Sequence, residues 1–154
     1  MENDAINFFH VNLCVKRSDG RGPRIRINMP GVSFGARRCE LLVNNFSCIH
    51  YVDDANPVLL NSNSIALSID GTRNVFDGRN ESMGSIVAMS PFQCERFPQG
   101  YYLNSVFRGN GAWILMPDHP FSSGIDFRIL RADGSELSAM PDECLISLTF
   151  KFTR

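Results

Sequence analysis

The chain has 154 residues, 44% of them apolar and 20% charged, with a net charge of −1. That length fits one domain, residues 1–154, burying roughly two thirds of its unfolded surface. The near-zero charge excludes a global pull towards nucleic acid or anionic lipid, and no run approaches the length of a membrane span.

Short extended runs alternate with turn signals from end to end. "INFFHVNLCVK" (6–16) puts Phe9, Val11, Leu13 and Val15 on one face at a period of two, with His10 on the other. "SDGRGP" breaks it, and "RIRINMP" (24–30) alternates again, Ile25, Ile27 and Met29 facing one way and Arg24, Arg26 and Asn28 the other. The long run 38–52, "RCELLVNNFSCIHYV", is expected to hold Leu41, Val43, Ile49 and Tyr51 on one parity. "SIALSID" (64–70) follows, then a polar, turn-rich loop over 71–83 and a strand over 84–90. "PFQCERFPQG" reads as an irregular connection. "YYLNSVF" (101–107) and "AWILM" (112–116) read as strands joined by a hairpin turn at "RGNGAW".

Near the end, Ile125, Phe127 and Ile129 alternate with polar neighbours, and Asp133-Gly134 is a strong hairpin signal. The last strand (144–154) answers with Ile146, Leu148, Phe150 and Phe152 inward, and Ser147, Thr149 and Lys151 outward. Each run is rich in β-branched and aromatic residues and bounded by Gly, Pro, Asn or Asp. No window keeps a 3.6-residue period over three turns, so any helix is one or two turns long. Half-polar alternation in so many strands predicts an all-β, antiparallel β-sandwich of about eight strands. The long irregular connections favour Greek-key wiring, as in a single jelly roll.

Cys14, Cys39, Cys48, Cys94 and Cys144 form no C-x-x-C pair, and their number is odd. The acidic N-terminus lacks the basic start of a signal peptide. The cysteines are therefore expected to be reduced, mostly buried thiols. The sequons at Asn45 and Asn80 carry little meaning without a secretory route.

Chemistry-bearing residues are sparse. Cys48 and His50, two apart on a strand, share a face and resemble a Cys–His pair, but no third group to orient the imidazole is evident. Asp53-Asp54 in "DDANP" suits a turn better than a metal site. Asp118-His119 lies between prolines in a rigid turn. Three histidines without an H-x-H motif argue against a cupin-type metal centre. No catalytic residue, metal or cofactor is expected. The basic segment "KRSDGRGPRIR" brings Arg17, Arg21, Arg24 and Arg26 together. It lacks the interleaved aromatics that single-strand binders stack bases on, so nucleic-acid binding is not expected. Lysine occurs only at Lys16 and Lys151, and the remaining basic residues are arginines. Arginine is enriched at protein interfaces, which makes Arg17, Arg21, Arg24, Arg26, Arg73 and Arg79 candidate contact residues.

Three stretches together, the long strand 38–52, the strand 64–70 and the closing pattern from "GIDFRILRADGSEL" to "CLISLTFKF", resemble one family. It comprises the single jelly-roll minor capsid and vertex (penton) proteins of icosahedral double-stranded DNA viruses. A short N-terminal arm and the lack of a second copy of the fold distinguish the chain from double jelly-roll major capsid proteins. The resemblance implies a virion protein assembled in the host cytoplasm. It further implies a homo-oligomer of five copies around a vertex, contacting major capsid protein neighbours. The alternative is a non-catalytic sandwich that binds a glycan or receptor, with Trp113, Tyr101 and Tyr102 as a stacking platform. Trp113, in an apolar strand, is expected in the core.

Overall fold

Ten strands make up nearly all the regular structure of the computed structural model, which describes residues 5–20, 22–28, 35–70, 86–116 and 124–154. In chain order they are β1 (Ile6–Lys16), β2 (Arg24–Ile27), β3 (Arg38–Asp53), β4 (Ser64–Ile69) and β5 (Ile86–Pro91). They continue with β6 (Gln93–Phe97), β7 (Gly100–Arg108), β8 (Trp113–Leu115), β9 (Ile125–Leu130) and β10 (Glu143–Thr153). A 3-10 turn, Arg17–Asp19, closes on Gly20 in the left-handed region at φ 69°.

Two antiparallel sheets pack face to face. Sheet A runs β1-β10-β3-β7-β6, with β8 also on β3, and sheet B runs β2-β9-β4-β5. The pairing is nested: β1 with β10, β2 with β9, β3 with β7 and β8, and β4 with β5. Two further ladders, β10 with β3 and β9 with β4, knit the nested pairs into sheets. The core between them is continuous. Phe46, Leu41, Phe150 and Phe152 of sheet A meet Ile65, Leu67, Phe127 and Ile129 of sheet B, all essentially solvent-free. The inward set expected for β10 is in place, Ile146, Leu148, Phe150 and Phe152 all being buried.

Four expectations need correction. The long run does not keep one parity. A bulge at Asn44 breaks the register, because Ser147 pairs with Asn45 while Leu148 pairs with Val43. Leu41 and Val43 point inward before it; after it Phe46, Cys48, His50 and Val52 do, and Ile49 and Tyr51 turn outward. An extra residue on one strand reverses the facing of everything beyond it. Two of the bulged residue's polar groups have partners: its carbonyl accepts from Gly109 N at 3.0 Å, and its Nδ2 donates to Thr149 Oγ1 at 2.9 Å. At Gly109 a Cβ would stand 2.0 Å from Val43 O, so only glycine lets the chain pass.

The closing segment is not a hairpin. The tight turn exists, with Gly134 N donating to Arg131 O at 2.9 Å and Asp133 Oδ1 accepting from Ser135 N, but the pairing it supports is one bridge, Leu130 to Glu136. β9 belongs to sheet B and β10 to sheet A, so the segment crosses between layers. "RGNGAW" is not a hairpin turn either. β7 and β8 both run antiparallel to β3, facing residues 45–53 and 40–42 of it, so the segment is a detour within one edge. Finally, "PFQCERFPQG" contains the edge strand β6, every residue of which is exposed. It continues β5 through Phe92, and carries the chain from one sheet to the other.

Candidate interaction surface

The Cys48–His50 pair does share the inward face, and an acidic neighbour missed in the sequence is Asp142. Its Oδ2 lies 3.3 Å from His50 Nδ1 and accepts from Tyr51 N at 2.7 Å, while Oδ1 meets Arg17 Nη2 at 2.7 Å. The arrangement braces rather than activates. His50 Nε2 stands 2.6 Å from the Val58 carbonyl, which can only accept, so this nitrogen carries a proton and holds the loop after β3. The imidazole is fully buried, and Cys48 faces Cys144 instead. Replacing Asp142 with Ala is expected to leave the Tyr51 amide without its acceptor and Arg17 without its ion-pair partner. The cost is about 2 kcal/mol, or roughly 5 °C in Tm. Differential scanning calorimetry checks this, with Asp142→Asn, which keeps an acceptor, falling between the two.

The other singled-out residues separate in space. Asp53 Oδ1 caps its own turn by accepting from Ala55 N, and Asp54 pairs with Arg96 at 2.9 Å. Arg17 is committed to Asp142, Arg26 pairs with Asp126 at 3.1 Å, and Arg24 is exposed on the same edge strand of sheet B. Arg21, Arg73, Arg79, the Asp118-His119 turn, the Asn80 sequon and the loop 71–83 lie outside the described residues. All five cysteines are free thiols, with Cys39, Cys48 and Cys144 buried and Cys14 and Cys94 exposed. Burial, reinforced by Glu40, pushes the Cys39 thiol up to about 12.

The feature that sequence reasoning missed is the outer face of sheet A. Among the described residues the exposed large apolar side chains are Ile6, Phe8, Ile49, Val58, Leu59, Met89, Phe97, Tyr102, Val106, Trp113, Leu115 and Leu145. Register places nine of them on this one face; Met89 is on sheet B, and Val58 and Leu59 are in a loop. They form two islands. At one end Phe8 packs on Trp113 with ring centroids 6.3 Å apart, Lys151 Nζ sits 5.2 Å over the indole, and Ile6 and Leu115 flank them. Trp113 is thus an outer-face residue, 37% exposed, and not part of the core.

At the other end Tyr102 contacts Tyr51 and Phe97, each at 4.9 Å between centroids, with Ile49, Val106 and Leu145 beside them. Partial desolvation, with Asp53 nearby, holds the Tyr51 phenol above its ordinary range, so it stays a hydrogen-bond donor. A shallow cavity of about 450 Å³ opens here, lined by Ile49, Gln93, Cys94, Glu95, Tyr102 and Asn104. Between the islands runs a polar belt, in which His10 Nδ1 and Asn44 Nδ2 both meet Thr149 Oγ1 at 2.9 Å.

Tyr101 is paired with the inward-facing Val52, so it points away from Tyr102. Trp113 and Tyr102 stand opposite Leu42 and Tyr51 of β3, a separation of roughly 30 Å at strand rise. The three aromatics therefore make no common platform. At about 150–200 Å² per large side chain, the nine expose on the order of 700 Å², near one partner's share of a standard interface. No family model matches the chain, and no curated protein sequence matches it.

Proposed function

We propose that the protein is a structural subunit of a virion, a single jelly roll that serves as a vertex or minor capsid component of an icosahedral double-stranded DNA virus. The nested pairing supports the fold assignment. Leaving aside the short β6 and β8, the two sheets read first-last-third-sixth and second-seventh-fourth-fifth, the order obtained when one long antiparallel hairpin is rolled up. The observation that carries the assembly role is the apolar outer face of sheet A. Each island exposes roughly 350 Å², the size of the largest and often functional apolar patch on a monomer, and two of them on one side wall suit head-to-tail packing in a closed ring. The polar belt supplies register between the two islands, as polar groups do within interfaces.

A second reading, recognition of a glycan, is favoured by the cleft beside Tyr102, where an aromatic face adjoins Gln93, Glu95 and Asn104. Cryo-electron microscopy of particles containing the protein separates the two. Five copies per vertex with sheet A walls against neighbours is the expected result. A stable twofold dimer without particle association overturns it, and glycan-array binding abolished by Tyr102→Ala selects the second reading.

A further inference from the structure

We propose that Cys48 and Cys144 are a disulfide-forming pair that bridges the two central strands of sheet A when the protein meets an oxidant of the disulfide class. The two residues are direct Cα partners in the antiparallel ladder of β3 and β10, and their Sγ atoms stand 2.7 Å apart in the buried core. Opposed residues of an antiparallel pair have Cα separations of about 4.5–5.5 Å, inside the range of about 4.4–6.8 Å that a disulfide spans. The sulfurs need to close by less than an ångström to reach bonding distance. None of the other thiols is so placed. Cys14 pairs with Leu145 on the opposite face, Cys39 with Phe152, and Cys94 with Leu103.

With oxidised glutathione the chemistry balances. The thiolate of one cysteine attacks the glutathione disulfide, forming a mixed disulfide and releasing one glutathione thiolate. The second cysteine's thiolate then displaces the other glutathione. The pair loses two protons and two electrons, and one disulfide becomes two glutathione thiols. Burial, with Cys144 alongside, raises the Cys48 thiol well above its ordinary range, so thiolate is scarce in the closed sandwich. Oxidation is accordingly slow in the folded protein and rapid while the sheets are still assembling. The bond closes a loop spanning 96 positions, long enough to constrain the unfolded chain strongly.

The test is to refold reduced, unfolded wild-type protein in an oxidised glutathione buffer, alkylate the remaining thiols, and map peptides without reduction. One bridge, Cys48 to Cys144, with Cys14, Cys39 and Cys94 alkylated, is the expected map. Reduction should then lower Tm by about 10 °C. A Cys14→Ser/Cys94→Ser double variant, altered only at exposed positions, should give the same bridge. Five alkylated cysteines, or a bridge between any other pair, overturns the proposal.

Discussion

Deleting Asn44 is expected to abolish cooperative folding, although the residue is exposed and belongs to no core cluster. The bulge it forms lets both halves of β3 present apolar side chains to the same interior. Without it, the pairing with β10 can be satisfied on one side of residue 44 only. Either Cys39, Leu41 and Val43 turn outward, or Phe46, Cys48, His50 and Val52 do, and Ile49 and Tyr51 are forced in. Exposing even two or three large side chains at about 1.5–3 kcal/mol each consumes most of a typical stability of about 5–15 kcal/mol. Thermal unfolding followed by near-ultraviolet circular dichroism should show no transition in the deletion variant. Asn44→Ala, which keeps the residue count and loses one hydrogen bond to Thr149, should still melt cooperatively, about 1 kcal/mol less stable. A deletion variant with native-like melting would show that the bulge does not set the facing of β3.

Placing a charge on the outer face of sheet A is expected to block assembly while sparing the fold. Val106 and Leu145 lie either side of Ser47 on that face and are 46% and 43% exposed. Arginine at either position remains solvated in the free subunit, so Tm should move by no more than the roughly 0.5 kcal/mol typical of surface changes. In an assembled interface the same guanidinium loses water without gaining a partner, which costs several kcal/mol. Val106→Arg and Leu145→Arg should therefore reduce incorporation into particles by tenfold or more, measured by quantitative blotting of purified virions. Met89→Arg, on sheet B, is the matched control and should incorporate normally. Equal incorporation of all three variants would remove the outer face of sheet A from the assembly model.

The strands most visible in the sequence are those whose pattern is set by one buried face. β1 and β10 face their apolar residues inward at a period of two, and their inward sets agree with expectation, with bounds matched to within one residue. What escaped detection depends on a partner strand. Two consecutive asparagines inside 38–52 look like ordinary extended residues, and only β10 opposite reveals that one of them is unpaired. Asp133-Gly134 makes the tight turn that its type favours, yet which layer the chain enters afterwards is decided by burial of β10 between β1 and β3. β6 carries no apolar period because both of its faces are exposed. Trp113 shows the same limit at a single residue: its side of the sheet follows from pairing with Leu42, not from its own hydrophobicity. The candidate surface was illegible for that reason, since its members come from β1, β3, β6, β7, β8 and β10 and share no local pattern.

The nested wiring has a consequence for synthesis. β1 is made first, but its ladder partner among the described residues is β10, and each Cα pair from Ile6–Thr153 to Lys16–Glu143 joins positions more than 120 apart. β2 likewise waits for β9. While the ribosome is elongating the chain, the early strands have their apolar faces formed and nothing to pair with. Sheet A cannot join β1 to β3 until β10, the strand between them, leaves the exit tunnel. Distant pairing of this kind makes folding slow and leaves strand edges open in the interval. Nascent copies on neighbouring ribosomes then meet with β1 unpaired, and a β1 edge that pairs with a neighbour's chain in place of its own β10 is the route to misassembly that this wiring opens.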